Sequence, residues 1–348
     1  MAKILITGAA GYLGAQTTVD FIKTGHEVIA VDNYLNSDPV SYRLISEITG
    51  SKPVIYNVDL ADHDAVNSIF SKNRDIEAVI HFAALKSVPE SVAKPLFCFQ
   101  NNNAATVNLL HACEKYEVEH FVFSSSCSVY GDVSAKDLPV DENTPLKTPA
   151  SPYGYSKQNG EYLIECQTRV TPLKACALRY FNPVGAHPSG NLGELPAKRV
   201  NNLVPLITQK AAGIIDSFTV FGSDYNTRDG SCIRDYIHVS DIARAHLNAF
   251  EFLKSRSEPS FEVINLGSGK GVSVFEMITA YEEATGQHLD YLVGERRAGD
   301  VEAIYSNPQK ALKLLNWKPE LSLLEVMESA HKWQQKLISL GLGKHKLG

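Results

Sequence analysis

Paired cysteines and long apolar runs are absent from this sequence of 348 residues. Its six cysteines lie singly at positions 98, 113, 127, 166, 176 and 232. Because no CxxC pair occurs and no spacing is typical of a zinc site, we expect buried thiols in a reducing compartment and no metal. No apolar run approaches the roughly 18 residues of a membrane span. The N-terminus also lacks the apolar segment and cleavage site of a secretory signal, so we expect a cytoplasmic protein.

An excess of basic charge is missing as well. Lys and Arg number 33 against 39 Asp and Glu, which gives a formal net charge of −6. This balance argues against nucleic acid or an anionic membrane as a partner, although local donors for phosphate ligands remain compatible with it. Hydrophobic residues make up 44% and charged residues 21%, an ordinary composition for a folded chain. The sequence therefore predicts a globular protein long enough for two domains.

Short apolar segments alternate with helical patterns in the first half of the chain. Strands are predicted at "KILIT", "EVIAVD", "PVIYNVDL", "AVIHFAA", "HFVFSSS" and "KACALRYFN", and helices near residues 62–73, 91–116 and 152–168. Such alternation is typical of a parallel sheet covered on both faces, the doubly wound α/β (Rossmann) fold. After residue 181 the alternation ends and Gly and Pro become frequent. We expect a cofactor domain at 1–181 and a smaller α/β domain at 182–348, with the chain crossing back near 234–266.

A glycine turn follows the first predicted strand and opens a helix. It reads "TGAAGYLG", with glycines at positions 8, 11 and 14. Glycines at this spacing allow a tight turn and a close approach of backbone to a pyrophosphate at the helix N-terminus. Asp32 ends the second strand, where a carboxylate accepts bonds from a ribose and repels a 2′-phosphate. The pattern indicates a dinucleotide site that prefers NAD to NADP; Asp59 and Leu60, after the third strand, are weaker candidates for the adenine end.

The segment "SPYGYSK" contains two tyrosines ahead of one lysine. Ser151 suits an N-cap and Pro152 the first helical position. On a helix Tyr153 shares a face with Lys157 and Tyr155 does not, because side chains four apart meet and those two apart diverge. A phenol beside an ammonium is a suitable base for a hydroxyl proton, and Ser126, at the end of the fifth strand, is suited to bridge the tyrosine and the substrate oxygen. From spacing alone, a surface helix with an incidental pair remains the alternative.

Longer segments carry a resemblance to a known family. They are "DNYLNS", "VIHFAALKSVPESV", "FSSSCSVYGD", "SPYGYSK", "RYFNPVGAHPSG", "NNLVP", "VFGSDYNTRDG", "RDYIHV" and "RRAGD". Together with the glycine turn they span about residues 4–305, and they resemble the extended short-chain dehydrogenase/reductase family, in particular its UDP-glucose (UDP-galactose) 4-epimerases. The resemblance implies a reaction that closes on itself: tightly held NAD takes a hydride from C4 of a UDP-sugar and returns it to the opposite face.

The resemblance also implies roles for individual residues. Catalysis is expected from Tyr153, Lys157 and Ser126. Cofactor contacts are expected from Gly8, Gly11, Tyr12, Leu13, Gly14, Asp32, Asn33, Asp59, Leu60, Phe82, Ala83, Lys86, Asn101, Tyr153, Lys157 and Tyr180. Substrate contacts are expected from Ser126, Tyr153, Phe181, Asn182, Asn202, Leu203, Phe221, Arg234, Arg297, Asp300 and Ile304. We interpret His81, His187 and His238 as structural.

Three alternatives concern the reaction. A UDP-N-acetylhexosamine 4-epimerase would have a small residue where Ile304 stands. A nucleotide-sugar dehydratase would have an Asp–Glu pair at Cys127 and Ser128. A non-catalytic NAD-binding protein would lack the tyrosine or the lysine.

A homodimer is also implied by the resemblance, through the two helices near residues 91–116 and 152–168. Apolar residues on these helices would serve either that face or the core: Leu109, Leu110, Tyr162 and Leu163.

Overall fold

The computed structural model describes residues 1–195, 202–297 and 300–342. The strands are β1 (Lys3–Thr7), β2 (Glu27–Asp32), β3 (Val54–Asn57), β4 (Ile76–His81), β5 (His120–Ser126), β6 (Lys174–Tyr180), β7 (Asn182–Val184), β8 (Thr219–Phe221), β9 (Ile233–Arg234), β10 (Tyr236–His238), β11 (Ser260–Leu266), β12 (Val272–Ser273), β13 (Leu292–Gly294) and β14 (Ala303–Ile304). The helices are α1 (Tyr12–Lys23), α2 (Val40–Thr49), α3 (His63–Lys72), α4 (Val88–Ala93), α5 (Pro95–Lys115), α6 (Pro152–Thr168), α7 (Leu203–Ala211), α8 (Val239–Lys254), α9 (Val274–Thr285), α10 (Gln309–Leu315) and α11 (Leu323–Ser339).

Seven parallel strands form the main sheet, in the order β11-β6-β5-β4-β1-β2-β3. Successive residues of β1 point to opposite sides: Ile4 and Ile6 belong to one buried cluster and Leu5 to the other. Both faces are therefore covered, and the predicted doubly wound parallel sheet is confirmed. The order reverses beside β1, which lies between β2 and β4, and ligands of such folds bind at that switch point.

The chain returns to the main sheet after leaving it. Strand β11 pairs with β6 along Ser260–Leu266, and helix α8 packs on α1. The intervening and following residues form three small sheets, β10-β7, β12-β9-β14 and β13-β8. A third buried cluster, which includes Ile207, Met277 and Tyr281, lies under helices α7, α9 and α11. The division at residue 181 stays a prediction, and the residues after it contribute to both parts.

The long helix expected over residues 91–116 is α5, which begins four residues later than expected, at Pro95, and ends at Lys115. The structure has two helices, α4 and α5, separated at Lys94, whose backbone angles are φ −135° and ψ 64°. Pro95 follows, and a proline ring disfavours the helical conformation in the residue before it. Helix α6 begins at Pro152 with Ser151 as its cap, since the Ser151 hydroxyl accepts a hydrogen bond from the Gly154 N–H at 3.3 Å.

The four apolar candidates for a dimer face have different positions. Leu109 and Leu110 are buried in the cluster beneath α5, so of the two alternatives the core applies to them. Leu163 packs partly against the same cluster, whereas Tyr162 is 63% exposed. Among the described residues, no helix is both long and apolar enough to cross a membrane.

Candidate active site

The glycine turn joins β1 to α1 with almost no spare volume. Gly8 has a φ of +64°, and a Cβ there would lie 2.8 Å from the backbone nitrogen of Ala83. A Cβ on Gly14 would lie 2.2 Å from the Gly8 carbonyl oxygen. Side chains at these positions would push the turn away from the strand ends, so only glycine permits this approach. The turn thereby leaves the N-terminal N–H groups of α1 facing the switch point, where they suit a phosphate.

Asp32 braces the glycine turn from the end of β2. Its carboxylate accepts hydrogen bonds from the Ala10 N–H (3.0 Å), the Tyr34 N–H (2.9 Å) and the Ser37 hydroxyl (2.7 Å). All these partners are donors, which fixes the carboxylate as an acceptor for ribose hydroxyls as well. The acid therefore both holds the turn and carries a charge that repels a 2′-phosphate.

Thr7 and His81 tie β1 to the loop after β4. The Thr7 hydroxyl oxygen accepts from the Phe82 N–H (3.1 Å) and the Ala83 N–H (3.2 Å) and lies 2.8 Å from His81 Nδ1. Because that oxygen already accepts twice, its own proton goes to Nδ1. His81 Nε2 lies 3.2 Å from the Thr106 hydroxyl, so both ring nitrogens have a partner. Burial and the charge of Lys157 lower the pKa of His81 to about 3, so a neutral structural role fits it.

The other predicted cofactor residues lie on several elements of the first half of the chain. The Tyr12 hydroxyl donates to the Gly185 carbonyl at 2.6 Å, and Leu13 packs on the core. Lys86 forms an ion pair of 2.9 Å with Glu194. Asn101 lies on α5, and Asn33, Asp59 and Leu60 follow β2 and β3. The Asp59 carboxylate accepts the Ala61 N–H at 2.9 Å and thereby caps a turn. An acid at the end of a strand commonly has this structural role.

Tyr153 and Lys157 share one face of α6. The Lys157 ammonium lies 5.8 Å from the centre of the Tyr153 ring, while Tyr155 is 40% exposed on another face. Burial raises the pKa of Tyr153 to about 12, and a hydrogen bond with Ser126 opposes the rise. In the chain alone burial outweighs the expected lowering by Lys157, so the phenol is protonated at neutral pH. A further positive charge beside the ring would be needed to favour the phenolate.

Lys157 is almost fully buried, and its surroundings keep it near the strand ends. Its ammonium donates to the Ser124 carbonyl at 2.6 Å and lies 4.8 Å from the centre of the Phe123 ring. Burial lowers the pKa of Lys157 to about 8, whereas Cys98 and Glu161 oppose this change. The ammonium form therefore still dominates at neutral pH.

A buried ion pair lies one turn after Lys157 on α6. Glu161 accepts from Arg179 of β6 in a two-pronged pair, with Nε–Oε1 at 2.8 Å and Nη2–Oε2 at 2.6 Å. The Ser125 hydroxyl also donates to Glu161, at 2.5 Å, and Arg179 reaches the Tyr130 hydroxyl at 3.1 Å. These bonds join α6 to β5 and β6 directly beneath the Tyr–Lys pair. Sequence reasoning missed them, because charged residues at these spacings usually lie in solvent.

Ser126 stands at the carboxyl end of β5, next to Tyr153. Its oxygen accepts from the Ser128 N–H at 3.2 Å and is within hydrogen-bonding reach of the Tyr153 phenol. One strand over, the Tyr180 hydroxyl is hydrogen-bonded to Ser124. The structure thus brings the three predicted catalytic side chains together at the strand edge where doubly wound folds bind ligands.

A second cluster of predicted residues combines two arginines, an acid and an aromatic ring. The Arg297 guanidinium pairs with Asp300 at 2.8 Å and lies 5.6 Å from the centre of the Phe221 ring. Arg234 approaches the same carboxylate at 3.7 Å and donates to the Val301 carbonyl at 2.8 Å. Asp300 therefore holds both guanidinium groups toward one place. Two such forks beside an exposed aromatic face suit a nucleoside diphosphate.

The remaining predicted substrate residues lie around these two clusters. Asn182 begins β7, and its N–H donates to the Asp235 carbonyl at 2.9 Å; Phe181 before it is buried. Asn202 is exposed at the N-terminus of α7, which Leu203 begins. Ile304 of β14 is paired in register with Arg234 of β9 and is 8% exposed. Ile304 therefore lies beside the arginine cluster rather than at the surface.

The backbone connects the two clusters. Ser126 is paired in register with Tyr180 of β6, and Asn182, two residues after Tyr180, donates its N–H at 2.9 Å to the carbonyl of Asp235, which follows Arg234. Cys127 follows Ser126 directly, and burial raises the pKa of its thiol to about 12. The Tyr–Lys pair and the arginine cluster therefore lie on neighbouring segments.

The structure adds residues that the sequence reasoning did not single out. The Arg296 guanidinium lies 4.2 Å from the centre of the Tyr225 ring, next to the arginine cluster. Asp235 is buried between Arg234 and β10 and accepts four hydrogen bonds. The "RDYIHV" segment pointed to this acid, but only its arginine was considered.

These features define a dinucleotide-binding α/β protein with a Tyr–Lys pair at the cofactor end of its sheet. The turn that a Cβ would fill, the acceptor-only Asp32 and the buried ammonium of Lys157 all fit NAD.

Comparison with known proteins gives the family. The model of the NAD dependent epimerase/dehydratase family matches residues 4–267, and the chain belongs to this family. A UDP-glucose 4-epimerase of Schizosaccharomyces pombe is 46% identical over 96% of this chain and 94% of its own length. The resemblance found in the sequence is thereby confirmed.

Two solved structures are similar over almost the whole chain. A UDP-glucose-4-epimerase from Stenotrophomonas maltophila, with bound NAD and formylated UDP-arabinopyranose, has a TM-score of 0.94 and 39% identity, covering 98% of this chain and 100% of its own. A UDP-glucose 4-epimerase from Bifidobacterium longum, in complex with NAD+ and UDP, has a TM-score of 0.90 and 41% identity, covering 96% and 98%. The small sheets, and not only the dinucleotide fold, are therefore shared.

Proposed function

We propose that this chain interconverts UDP-galactose and UDP-glucose by reversible epimerisation at C4, through a 4-keto sugar, with NAD that stays bound. The observation that carries the proposal is the continuity of the two clusters: Ser126 is paired in register with Tyr180, and Asn182, two residues further on, donates its N–H to the carbonyl of Asp235, which follows Arg234 directly. A sugar nucleotide held by the arginines thus has its sugar at the phenol. The similar proteins described above support the same reaction.

The chain's own residues divide the work of the reaction. Tyr153 removes the proton from the sugar O4 and later returns it, and Ser126 holds the phenol and that oxygen in line. Burial lowers the pKa of Lys157 to about 8, which is still above neutral pH, so its ammonium form remains beside the phenol. When bound, NAD supplies the hydride acceptor and a positive charge that favours the phenolate. The glycine turn, Asp32 and Lys157 would hold it.

Inversion at C4 requires a firmly held nucleotide and a loosely held sugar. Arg234, Arg297 and Phe221 provide charge and an aromatic face for the UDP part, and Asn202 and Leu203, at the start of α7, are its further expected contacts. The sugar meets Tyr153, Ser126, Tyr180 and Ile304. Because the anchors grip only the nucleotide, the keto sugar is free to turn about its pyrophosphate and present its other face.

Proton NMR of the purified protein with UDP-galactose and no added NAD tests this function. The anomeric signal of UDP-glucose should appear and approach a constant ratio to that of UDP-galactose. A Tyr153→Phe variant of the same preparation is the control, since it keeps the binding surfaces and lacks the phenol. No interconversion even with saturating added NAD would refute the epimerase proposal and favour a non-catalytic NAD-binding protein.

Two related reactions fit the site less well. Dehydration of the sugar needs an acid and a base after Ser126, whereas Cys127 and Ser128 stand there. Epimerisation of UDP-N-acetylhexosamines needs space for the acetamido group, and Ile304 occupies the predicted place of that group. We expect the second reaction to be slower than that of UDP-galactose.

We further propose a cytoplasmic homodimer formed through α5 and α6. Leu96 is 81% and Tyr162 63% exposed on these helices, an unusual exposure for large apolar side chains. The scattered thiols, all unpaired among the described residues, suit a reducing compartment. Light scattering at micromolar concentration should give the mass of two chains, and Leu96→Glu with Tyr162→Glu should give one. A wild-type monomer would rule out the dimer.

A further inference from the structure

Asp235 is a completely buried carboxylate that joins segments distant in sequence. It is 0% exposed, and its Oδ1 accepts from the Ser268 N–H at 2.8 Å and from the Ser268 hydroxyl at 2.5 Å. Its Oδ2 accepts from the Ser306 N–H at 3.0 Å and the Ser306 hydroxyl at 3.1 Å. The donors lie 33 and 71 residues further along the chain. One carboxylate thus fastens the loop after β11 and the loop after β14 to β9.

The packing around this carboxylate leaves no room for adjustment. A Cβ on Gly267 would lie 2.3 Å from Asp235 Oδ2 and 1.6 Å from the Ser306 hydroxyl oxygen. The Asp235 carbonyl also accepts the Asn182 N–H at 2.9 Å, so β7 is fastened to the same point. A change in the carboxylate must therefore displace one of these backbones.

Three of the segments joined at Asp235 carry a residue of the site. Arg234 precedes Asp235 directly, Ile304 is two residues before Ser306, and Asn182 begins β7. Asp235 itself has no surface with which to touch a ligand. It must act through these neighbours, whose relative positions decide whether the diphosphate and the sugar fit at the same time.

A carboxylate suits this arrangement because one backbone N–H, which can only donate, faces each of its oxygens. A carboxylate is an acceptor at both oxygens. An asparagine at the position would direct its NH2 group toward one N–H and one hydroxyl. Its single oxygen can then accept from only one of the two N–H groups, and the other N–H is left without an acceptor. The difference between acid and amide is thus confined to one pair of hydrogen bonds.

We propose that Asp235 is a positioning residue for the sugar nucleotide: its carboxylate sets the distance between Arg234, the diphosphate anchor, and Ile304, the wall of the sugar pocket. This inference rests on the proposed UDP-sugar epimerisation. It predicts that loss of the carboxylate weakens the grip on the nucleotide and leaves the cofactor end of the site, with Tyr153 and Lys157, unchanged.

Asp241 provides a matched control. It is also a buried carboxylate with several donors, the Glu320 and Leu321 N–H groups at 3.1 Å each and Arg244 at 2.6 Å. It lies on α8 and joins the segment before α11, and none of these three partners is a predicted site residue. Asp241→Asn therefore makes the same chemical change with a similar structural penalty and no path to the substrate residues.

The experiment compares holoenzymes carrying Asp235→Asn and Asp241→Asn. The Kd for UDP by calorimetry and the KM for UDP-galactose should rise about ten-fold, or about 1.4 kcal/mol, in Asp235→Asn only. The kcat and the bound NAD per chain should stay within about two-fold of wild type in that variant. If Asp235→Asn does not fold, Ser306→Ala, which deletes one of the four donors, should raise both constants by about two- to five-fold.

Distinct outcomes separate the two proposals. UDP affinity and KM unchanged in Asp235→Asn, or raised equally in Asp241→Asn, would overturn the positioning role while the epimerase function stands. An unchanged Ser306→Ala would overturn it where the first variant is insoluble. A wild-type protein that neither binds UDP nor converts UDP-galactose would refute the proposed function, and the positioning role with it.

Discussion

Replacing Ile304 by Ser should admit UDP-sugars with a 2-acetamido group. Ile304 is paired in register with Arg234, and residues opposite each other in a sheet point to the same side. The side chain therefore extends from the strand beside the diphosphate anchor, where the resemblance places the sugar. Tyr305, one position on, points elsewhere, since its ring would lie 3.0 Å from a Cβ on Gly271. From this placement we predict that Ile304, and not Tyr305, limits the pocket.

The size of the effect follows from the packing. Forcing extra atoms into a packed site costs about 1–3 kcal/mol. At roughly 1.4 kcal/mol per factor of ten, the wild type should favour UDP-galactose over UDP-N-acetylgalactosamine by about five- to two-hundred-fold in kcat/KM. Ile304→Ser should remove most of this preference and leave UDP-galactose within a few fold. Because Ile304 is part of the main buried cluster, the variant should also lose about 2–5 kcal/mol of stability.

Coupled assays of kcat/KM on both substrates measure this preference. Ile304→Val, which removes one methylene, should fall between wild type and Ile304→Ser, and Tyr305→Phe should leave the ratio unchanged. Thermal unfolding of each variant shows which assays are made on folded protein. Equal wild-type efficiency on the two substrates would refute the steric argument, as would an unchanged ratio in a folded Ile304→Ser variant.

Three further predictions concern the cofactor half. Tyr153→Phe should retain NAD and lose about 10²–10⁴-fold in turnover, whereas Tyr155→Phe should change it little; similar losses in a steady-state assay would contradict the shared face with Lys157. Gly14→Ala places a Cβ 2.2 Å from the Gly8 carbonyl oxygen and should lose its NAD, so a full cofactor content after denaturing extraction would contradict the close turn. Because burial lowers the pKa of His81 to about 3, the unfolded chain binds more protons below its usual value of 6.5. The free energy of unfolding should therefore fall as the pH is lowered from about 7 to about 5. The change of Tm with pH should be smaller in His81→Asn than in the wild type, and an equal change would contradict the neutral role.

Local signals in the sequence predict much of this structure. Helix α6 begins and ends at the predicted residues, Pro152 and Thr168. Its start depends only on the adjacent residues Ser151 and Pro152, which are a local signal. The strand–turn–helix at Gly8 is equally local. Pro95 causes the break at Lys94 and is visible in the sequence. The apolar pattern continues across the break, however, so the sequence did not predict two separate helices there.

Contacts between distant segments are what the sequence does not reveal. Asp235 meets Ser268 and Ser306 because the chain crosses back to the main sheet, and Glu161 meets Arg179 because α6 packs on β6. Nothing in the spacing of these residues distinguishes a buried acid from a solvated one. The same is true of Leu109 and Leu110, because an apolar helical stripe is the same for a core and for an interface.

The return of β11 to the main sheet also has a consequence for synthesis of the protein. When the ribosome has produced Tyr180, β6 is the outer strand of a nearly complete sheet, with an apolar sequence, KACALRY, and one unpaired edge. Leu266, the last residue of the strand that covers it, follows 86 residues later. At roughly 5–20 residues per second this edge stays open for about 4–17 seconds. An open apolar edge is a template for pairing with other chains, so the nascent chain is most in need of chaperone protection during that interval.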